Sequence, residues 1–175
     1  MDFYRIPQSP QQILDLIQGT RIGINLMARF NPHYRCGRIT IAYYPPEIVQ
    51  KLRALIGTDQ PIGACFDTDG SHGTIHIDPQ GLLGTAAPFL VHEMVHALDS
   101  TLWRAARVKL TPKQKDKIFL KAEKAAFEFQ HYFVEELKAL YPSYAAFLAS
   151  AFPSSRVLTE RLTEKDITEL YRFQT

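Results

Sequence analysis

The chain has 175 residues, of which 46% are hydrophobic and 22% charged, a composition typical of a folded domain rather than of a disordered segment. Its formal net charge at pH 7 is only +2, and its lysines and arginines are scattered, so neither nucleic-acid nor membrane binding is predicted. The sequence shows no signal peptide and no apolar stretch that could span a bilayer, so we expect a soluble protein, cytoplasmic or exported without an N-terminal signal.

The first half of the chain predicts both strands and helices. Two segments with apolar residues at helical spacing are predicted as helices: 10–18 and 47–56. Four segments rich in β-branched and aromatic residues are predicted as strands: 22–30, 38–44, 62–66 and 73–78. Two cysteines, Cys36 and Cys65, are too few for a disulfide framework and are predicted to be reduced and half-buried.

The second half of the chain, from about Ala86, predicts helices only. They comprise one helix through His92 and His96, a long helix over 112–140, one after Pro142, and one from Thr163 toward Tyr171. Strands followed by helices predict an α+β fold in a single domain, 1–175. Its first part, 1–84, is expected to hold a small mixed sheet, and 85–175 to form a helical lobe.

A possible metal site begins with His92 and His96, which lie one turn apart on the same face of a predicted helix. Both imidazoles can therefore reach one tetrahedral cation, and this spacing is typical of Zn²⁺ sites. Glu93 is offset from them by about one hundred degrees around the helix. It is therefore predicted to accept a proton from a water on the metal rather than to coordinate it.

Asp99 follows His96 by three residues and shares the histidine face of this helix. It is predicted either to accept a hydrogen bond from the second nitrogen of the imidazole, as carboxylates near zinc often do, or to cap the helix end. The sequence does not choose between these two roles.

A catalytic zinc ion also needs a third protein ligand. Carboxylates of the long helix are candidates, and two of them, Glu128 and Glu135, point away from its apolar stripe. Glu123 borders the stripe, and Glu136 lies within it near the helix end. Spacing alone leaves Glu123 and Glu136 as alternatives.

The residues His92–Asp99, which read HEMVHALD, and the later segment Glu123–Phe133 together resemble gluzincin metallopeptidases of the anthrax lethal factor and Mlc titration factor type. In those families a HExxH helix ending in Asp is followed by a helix with the approximate pattern E-x-F-A-x-x-F. The resemblance covers roughly residues 74–148 and implies Glu123 as the third zinc ligand. It also implies a zinc endopeptidase acting on a protein or peptide, with a zincin-like cleft between the small sheet and the helical lobe.

Two further expectations depend on this resemblance. The families carry a tyrosine shortly before the ligand glutamate that is held to stabilise the oxyanion, but positions 97–130 contain no tyrosine; His76, His131 and Tyr132 are the candidates for that role. The strand Thr74, Ile75, His76 and Ile77 is expected to be the sheet edge that pairs with the substrate backbone. Its alternative is an interior strand with His76 hydrogen-bonded on one face.

Three functions remain open from the sequence. The first is the zinc endopeptidase, expected as a monomer. The second is a zinc hydrolase that uses the same site on a non-peptide amide. The third is a catalytically weak or inactive relative that binds a protein partner, and the missing tyrosine is the feature that favours it.

Overall fold

The computed structural model describes residues 1–56, 63–153 and 155–171. The chain forms an α+β fold, as predicted, in which helices predominate. Its elements in chain order are α1 Pro10–Gln18, α2 Arg21–Arg35, β1 Ile39–Tyr43, α3 Pro46–Ile56, β2 Ala64–Thr68, β3 Gly73–Ile77, α4 Leu83–Leu98, α5 Ser100–Ala105, α6 Pro112–Leu140, α7 Pro142–Ala151, α8 Arg156–Thr159 and α9 Glu164–Tyr171. Among these residues, no helix combines the length and the hydrophobicity that crossing a membrane requires.

The segment 22–30 lies within α2, so its prediction as a strand was wrong. The hydroxyl of Thr20 caps this helix by accepting a hydrogen bond of 2.8 Å from the amide of Gly23. Leu26 and Phe30, one turn apart, are buried in the core at 2% and 0% exposure. Burial of this helical stripe outweighs the β propensity of the isoleucines in the same segment.

The sheet has three strands within the described residues, in the order β1-β3-β2. β1 runs parallel to β3, whereas β2 runs antiparallel to it. Ile75 and Ile77 of β3 point into the core, and Thr74 and His76 point to the other face of the sheet. The strand predicted over 62–66 corresponds to β2, which begins at Ala64. Position 62 of that prediction lies outside the described residues.

β3 is the central strand of this sheet, so the prediction that Thr74–Ile77 forms a free edge was wrong. Along the chain, β1 is followed by α3, β2 and then β3, whereas in the sheet β3 lies between β1 and β2. β2 is the edge strand that packs beside α4. The alternative prediction of an interior strand is the one that describes Thr74–Ile77.

α4 runs through the middle of the molecule, and twelve of its sixteen residues are buried. Pro88 lies inside this helix and has no N–H group, so the carbonyl oxygen of Gly84 lacks its usual intrahelical donor. The hydroxyl of Tyr144, from α7, donates a hydrogen bond of 2.8 Å to that oxygen instead. Because Gly84 has no side chain, the ring of Phe147 can pack directly on its backbone.

α6 begins at Thr111, which forms a capping box with Gln114. Near its other end, the carboxylate of Glu136 accepts hydrogen bonds from the amides of Arg21 at 2.7 Å and Ile22 at 2.9 Å. These amides lie at the N-terminus of α2 and have no partner within the helix. The helix dipole also favours a negative charge there. Glu136 therefore ties α6 to α2.

Cys36 and Cys65 are both free and exposed. The predicted reduced state agrees with this arrangement, whereas the predicted half-burial was wrong. Cys36 is the residue that ends α2, and Cys65 lies on the outer face of the edge strand β2, opposite His76 of β3.

Candidate metal centre

His92 and His96 of α4 meet Glu123 of α6 in a buried cluster. The Nε2 atoms of the two histidines are 3.0 Å apart. Oε2 of Glu123 lies 3.1 Å from Nε2 of His92, and its Oε1 lies 3.2 Å from Nε2 of His96. All three residues are at most 8% exposed, and one ligand atom from each lies within 4.8 Å of the others. The structure thus brings together the three predicted ligands.

These distances suit a tetrahedral Zn²⁺ ion. With zinc–ligand bonds of 2.0–2.1 Å, neighbouring ligands of a tetrahedron lie about 3.3 Å apart. The two histidine nitrogens, 3.0 Å apart, are close to that value, and each of them has one of the two Glu123 carboxylate oxygens at 3.1 or 3.2 Å. Two imidazoles and one carboxylate are also the donor set of many catalytic zinc sites, which keep one position open. The residues present therefore fit the ion that the sequence predicted.

Glu136 is not at this cluster, because its carboxylate is bound to the amides of α2. Asp99 also takes a different position from the one predicted beside His96. Its Oδ1 accepts a hydrogen bond of 2.7 Å from the amide of Thr101 and so caps α5. Among the described residues, the Nδ1 atoms of His92 and His96 are buried without a hydrogen-bond partner. The capping alternative therefore describes Asp99.

The pKa values of the Glu123 and Glu93 carboxyl groups are shifted in opposite directions. Burial acts to raise the pKa of Glu123, but hydrogen bonds from His92 and His96 outweigh it and lower that pKa to about 2. Burial raises the pKa of Glu93, only partly offset by the two histidines. Burial lowers the pKa of His96, but the adjacent carboxylates outweigh this effect and the net pKa is raised. Glu123 is thus suited to remain an anionic ligand, and Glu93 to take up a proton.

Glu93 lies beside the cluster and faces a cavity of about 380 Å³. Its Oε2 accepts a hydrogen bond of 2.7 Å from the backbone amide of Phe66 in β2. This bond holds the carboxylate against the edge strand. Within the described residues the cavity is lined by Ala64, Cys65, Phe66, Glu93, His96, Leu102, Phe119, Glu123 and Tyr171.

Tyr171 of α9 reaches this cavity, although no sequence pattern predicts it there. The residue is 44% exposed, and it lines the cavity together with Glu123. Its ring contacts that of Phe127, with centroids 6.4 Å apart, and Phe127 in turn packs on His92 at 4.5 Å. Burial, together with the carboxylate of Glu123, raises the pKa of the Tyr171 hydroxyl, which therefore stays protonated.

α9, the helix that carries Tyr171, is fixed by its first turn. The amide and hydroxyl of Thr163 donate to Oδ2 of Asp166 at 2.8 and 2.6 Å. Arg156 of α8 donates to the other carboxylate oxygen of Asp166 at 2.8 Å. These bonds close the first turn of α9 and tie it to α8.

The three residues predicted as oxyanion candidates lie elsewhere in the described part of the chain. Tyr132 is 45% exposed, and its hydroxyl donates to Glu128 at 3.4 Å. His131 packs beside Tyr132 on the same side of α6. His76 stacks on Tyr44 at 5.1 Å on the outer face of the sheet. None of the three lines the cavity, so this prediction was wrong for His76, His131 and Tyr132.

Comparison with family models, with curated proteins and with solved structures gave no match to this chain.

Proposed function

We propose that this chain is a zinc-dependent endopeptidase of the gluzincin type, with a zincin-like cleft between β2 and α6. One observation carries the proposal. His92, His96 and Glu123 converge with ligand atoms within 4.8 Å of one another, while Glu93 faces the adjoining cavity from outside that cluster. A zinc ion with a purely structural role would have no use for a carboxylate at this place.

Zn²⁺ at such a site supplies Lewis-acid chemistry, acidifying water and polarising a carbonyl oxygen. Glu93 accepts the proton of the attacking water and then delivers it to the nitrogen of the leaving amine. Its raised pKa supports this role, because a carboxylate that binds a proton readily can serve first as base and then as acid.

Tyr171 is proposed to donate a hydrogen bond to the carbonyl oxygen that gains negative charge during attack. Tyr171 lines the cavity together with Glu123, and the raised pKa of its hydroxyl keeps the proton available for donation. A donor aimed at a developing oxyanion is a large contributor to catalysis in such sites. Tyr171 would thus take the role of the tyrosine that is missing from positions 97–130. The absence of that tyrosine is the feature that favours the partner-binding function.

The test compares Glu93→Gln with Glu135→Gln, whose exposed carboxylate on α6 bonds only Lys138 among the described residues. Glutamine keeps an oxygen for the amide of Phe66, so the fold and the metal site should persist. We expect all three proteins to hold about one zinc ion per chain. The wild type and Glu135→Gln should cleave casein, and Glu93→Gln should not.

A wild-type protein that binds no zinc would overturn the proposal. Equal cleavage by Glu93→Gln would show that another group acts as the base. Tight zinc binding without cleavage of any protein or peptide would favour the partner-binding alternative instead.

A further inference from the structure

The hydrogen bonds of β2 reveal which of its backbone groups point away from the sheet. The amide of Asp78 donates to the carbonyl of Gly63 at 2.9 Å, and the amide of Asp69 donates to the carbonyl of His72 at 3.2 Å. Residues that bond across an antiparallel pair alternate along each strand. Odd-numbered residues of β2 therefore bond to β3, and even-numbered residues turn their backbone groups outward.

The outward residues are Ala64, Phe66 and Thr68. The amide of Phe66 donates to Glu93 at 2.7 Å, which confirms this alternation. Within the described part of the chain, its carbonyl receives only the weak thiol donor of Cys65 at 3.8 Å. In the described part of the chain, no side chain bonds to the outward backbone groups of Ala64 and Thr68. Among the described residues, two backbone donors and two acceptors therefore remain on this edge, and an extended peptide can pair with them.

A second cavity, of about 320 Å³, continues from the metal cavity along this edge. The two cavities share three wall residues: Phe66, Leu102 and Phe119. The second cavity extends over Phe66 and Thr68 toward the turn after α5. Its rim carries large apolar side chains that are unusually exposed, namely Val108 at 55% and Phe119 at 42%.

The charge of the second cavity favours an uncharged occupant. Among the described residues, its charged wall residues are Lys115 and Asp67, whose formal charges are opposite and cancel. The remaining wall is mainly apolar, with Leu102, Ala105 and Leu110 among its residues. An apolar side chain placed there would remove both its own surface and that of the exposed rim residues from water.

We propose that this second cavity binds a large apolar side chain of a peptide that extends along the free edge of β2. The inference rests on the proposed peptidase function, because the metal cavity at Ala64–Phe66 sets where the peptide is cut. On β2, residues 64–66 line the metal cavity and residues 66–68 line the second cavity. The centres of these two segments are two residues apart, so the bound side chain lies about two residues from the cleaved bond. The enzyme should therefore prefer Leu, Phe or Met there over Ala, Asp or Lys.

The first experiment maps the bonds cleaved in casein by mass spectrometry for the wild type, Ala105→Phe and Ala145→Phe. Ala105→Phe places a ring in the second cavity, whereas Ala145 is exposed on α7 and serves as the matched control. We expect large apolar residues about two positions from the cleaved bond, preferred about 10- to 100-fold in kcat/KM over alanine. Ala105→Phe should lose that preference, and Ala145→Phe should keep it.

The second experiment measures peptide binding without cleavage, so the groove can be tested even if no peptidase activity is found. Trp103 is the only tryptophan of the chain, and its ring lies 5.7 Å from that of Phe66 in the shared wall. Its fluorescence in the Glu93→Gln protein should change on titration with capped Gly-Ala-Ala-Phe-Ala-Ala-Gly. It should change little with the peptide that has alanine in place of phenylalanine.

The outcomes separate the two proposals. Cleavage of casein without apolar preference, together with an unaltered pattern in Ala105→Phe, would overturn the groove and leave the peptidase function standing. Peptide binding that is lost in Ala105→Phe, without cleavage by the wild type, would support the groove and reject the peptidase function. Equal fluorescence responses to the two peptides would count against the groove.

Discussion

The backbone amide of Phe66 donates a hydrogen bond of 2.7 Å to Oε2 of Glu93, which ties the proposed general base to the edge strand of the sheet. The bond orients the carboxylate. It also occupies the outward amide of Phe66, so among the outward amides of the described strand only those of Ala64 and Thr68 are left for a peptide. The strand that is proposed to bind the substrate therefore also positions the base.

Removing this amide should impair catalysis without affecting the metal. Phe66→Pro lacks the N–H group, and proline is tolerated where the amide of an edge strand points outward. Phe66→Ala loses the same ring contacts but keeps the amide, so it is the matched control. We expect kcat for peptide cleavage to be about tenfold lower in Phe66→Pro than in Phe66→Ala, because the base loses its orientation. Equal kcat values at equal zinc content would contradict this role.

The two carboxylates that the sequence left as alternative ligands should respond differently to substitution. Glu123→Ala should lose most of its zinc, because a buried ligand is removed. Glu136→Ala should keep its zinc but lose about 1–2 kcal/mol of unfolding free energy, because two amides of α2 lose their acceptor. Metal analysis and denaturant unfolding distinguish the two variants. The reverse pattern would refute the assignment of Glu123.

Tyr171→Phe should lower kcat by about 100-fold while zinc content stays that of the wild type, since one oxyanion donor is lost. Phenylalanine keeps the ring contact with Phe127, so α9 should stay in place. Tyr132→Phe, on the exposed side of α6, is the control and should leave kcat unchanged. If Tyr171→Phe cleaves peptides at the wild-type rate, the hydroxyl has no part in the reaction.

Tyr144→Phe should destabilise the fold by about 1–3 kcal/mol, because the buried carbonyl of Gly84 then has no donor. For a chain of this length, each kcal/mol corresponds to about 2–4 °C in Tm. Thermal unfolding checks this expectation, with Tyr132→Phe again as an exposed control. A Tm equal to that of the wild type would mean that water or a shift of the helix satisfies the carbonyl.

Local patterns were sufficient to predict most of the helices and the centre of the metal site. The positions of His92 and His96 follow from helix geometry, which fixes residues four apart on one face. The prediction failed for 22–30, where β-branched residues suggested a strand. The capping residue Thr20, followed by Leu26 and Phe30 one turn apart, was the signal that indicated a helix.

Features that depend on packing between distant segments could not be predicted. Spacing could not choose between Glu123 and Glu136, because the choice depends on the amides of α2 that Glu136 meets across more than one hundred residues. The order of strands in the sheet does not follow their order in the chain, so the free edge was assigned to β3 instead of β2. Tyr171 reaches the cavity only because α9 packs on α6, and no local pattern reports that contact.

The pairing of Pro88 with Tyr144 has a consequence for how related sequences should vary. Proline at position 88 creates the need for an outside donor, and the phenol at position 144 meets it. A relative with any other residue at 88 regains the backbone donor, and position 144 is then released to carry phenylalanine. The two positions should therefore change together in an alignment, and a proline at 88 without a hydroxyl at 144 should be selected against.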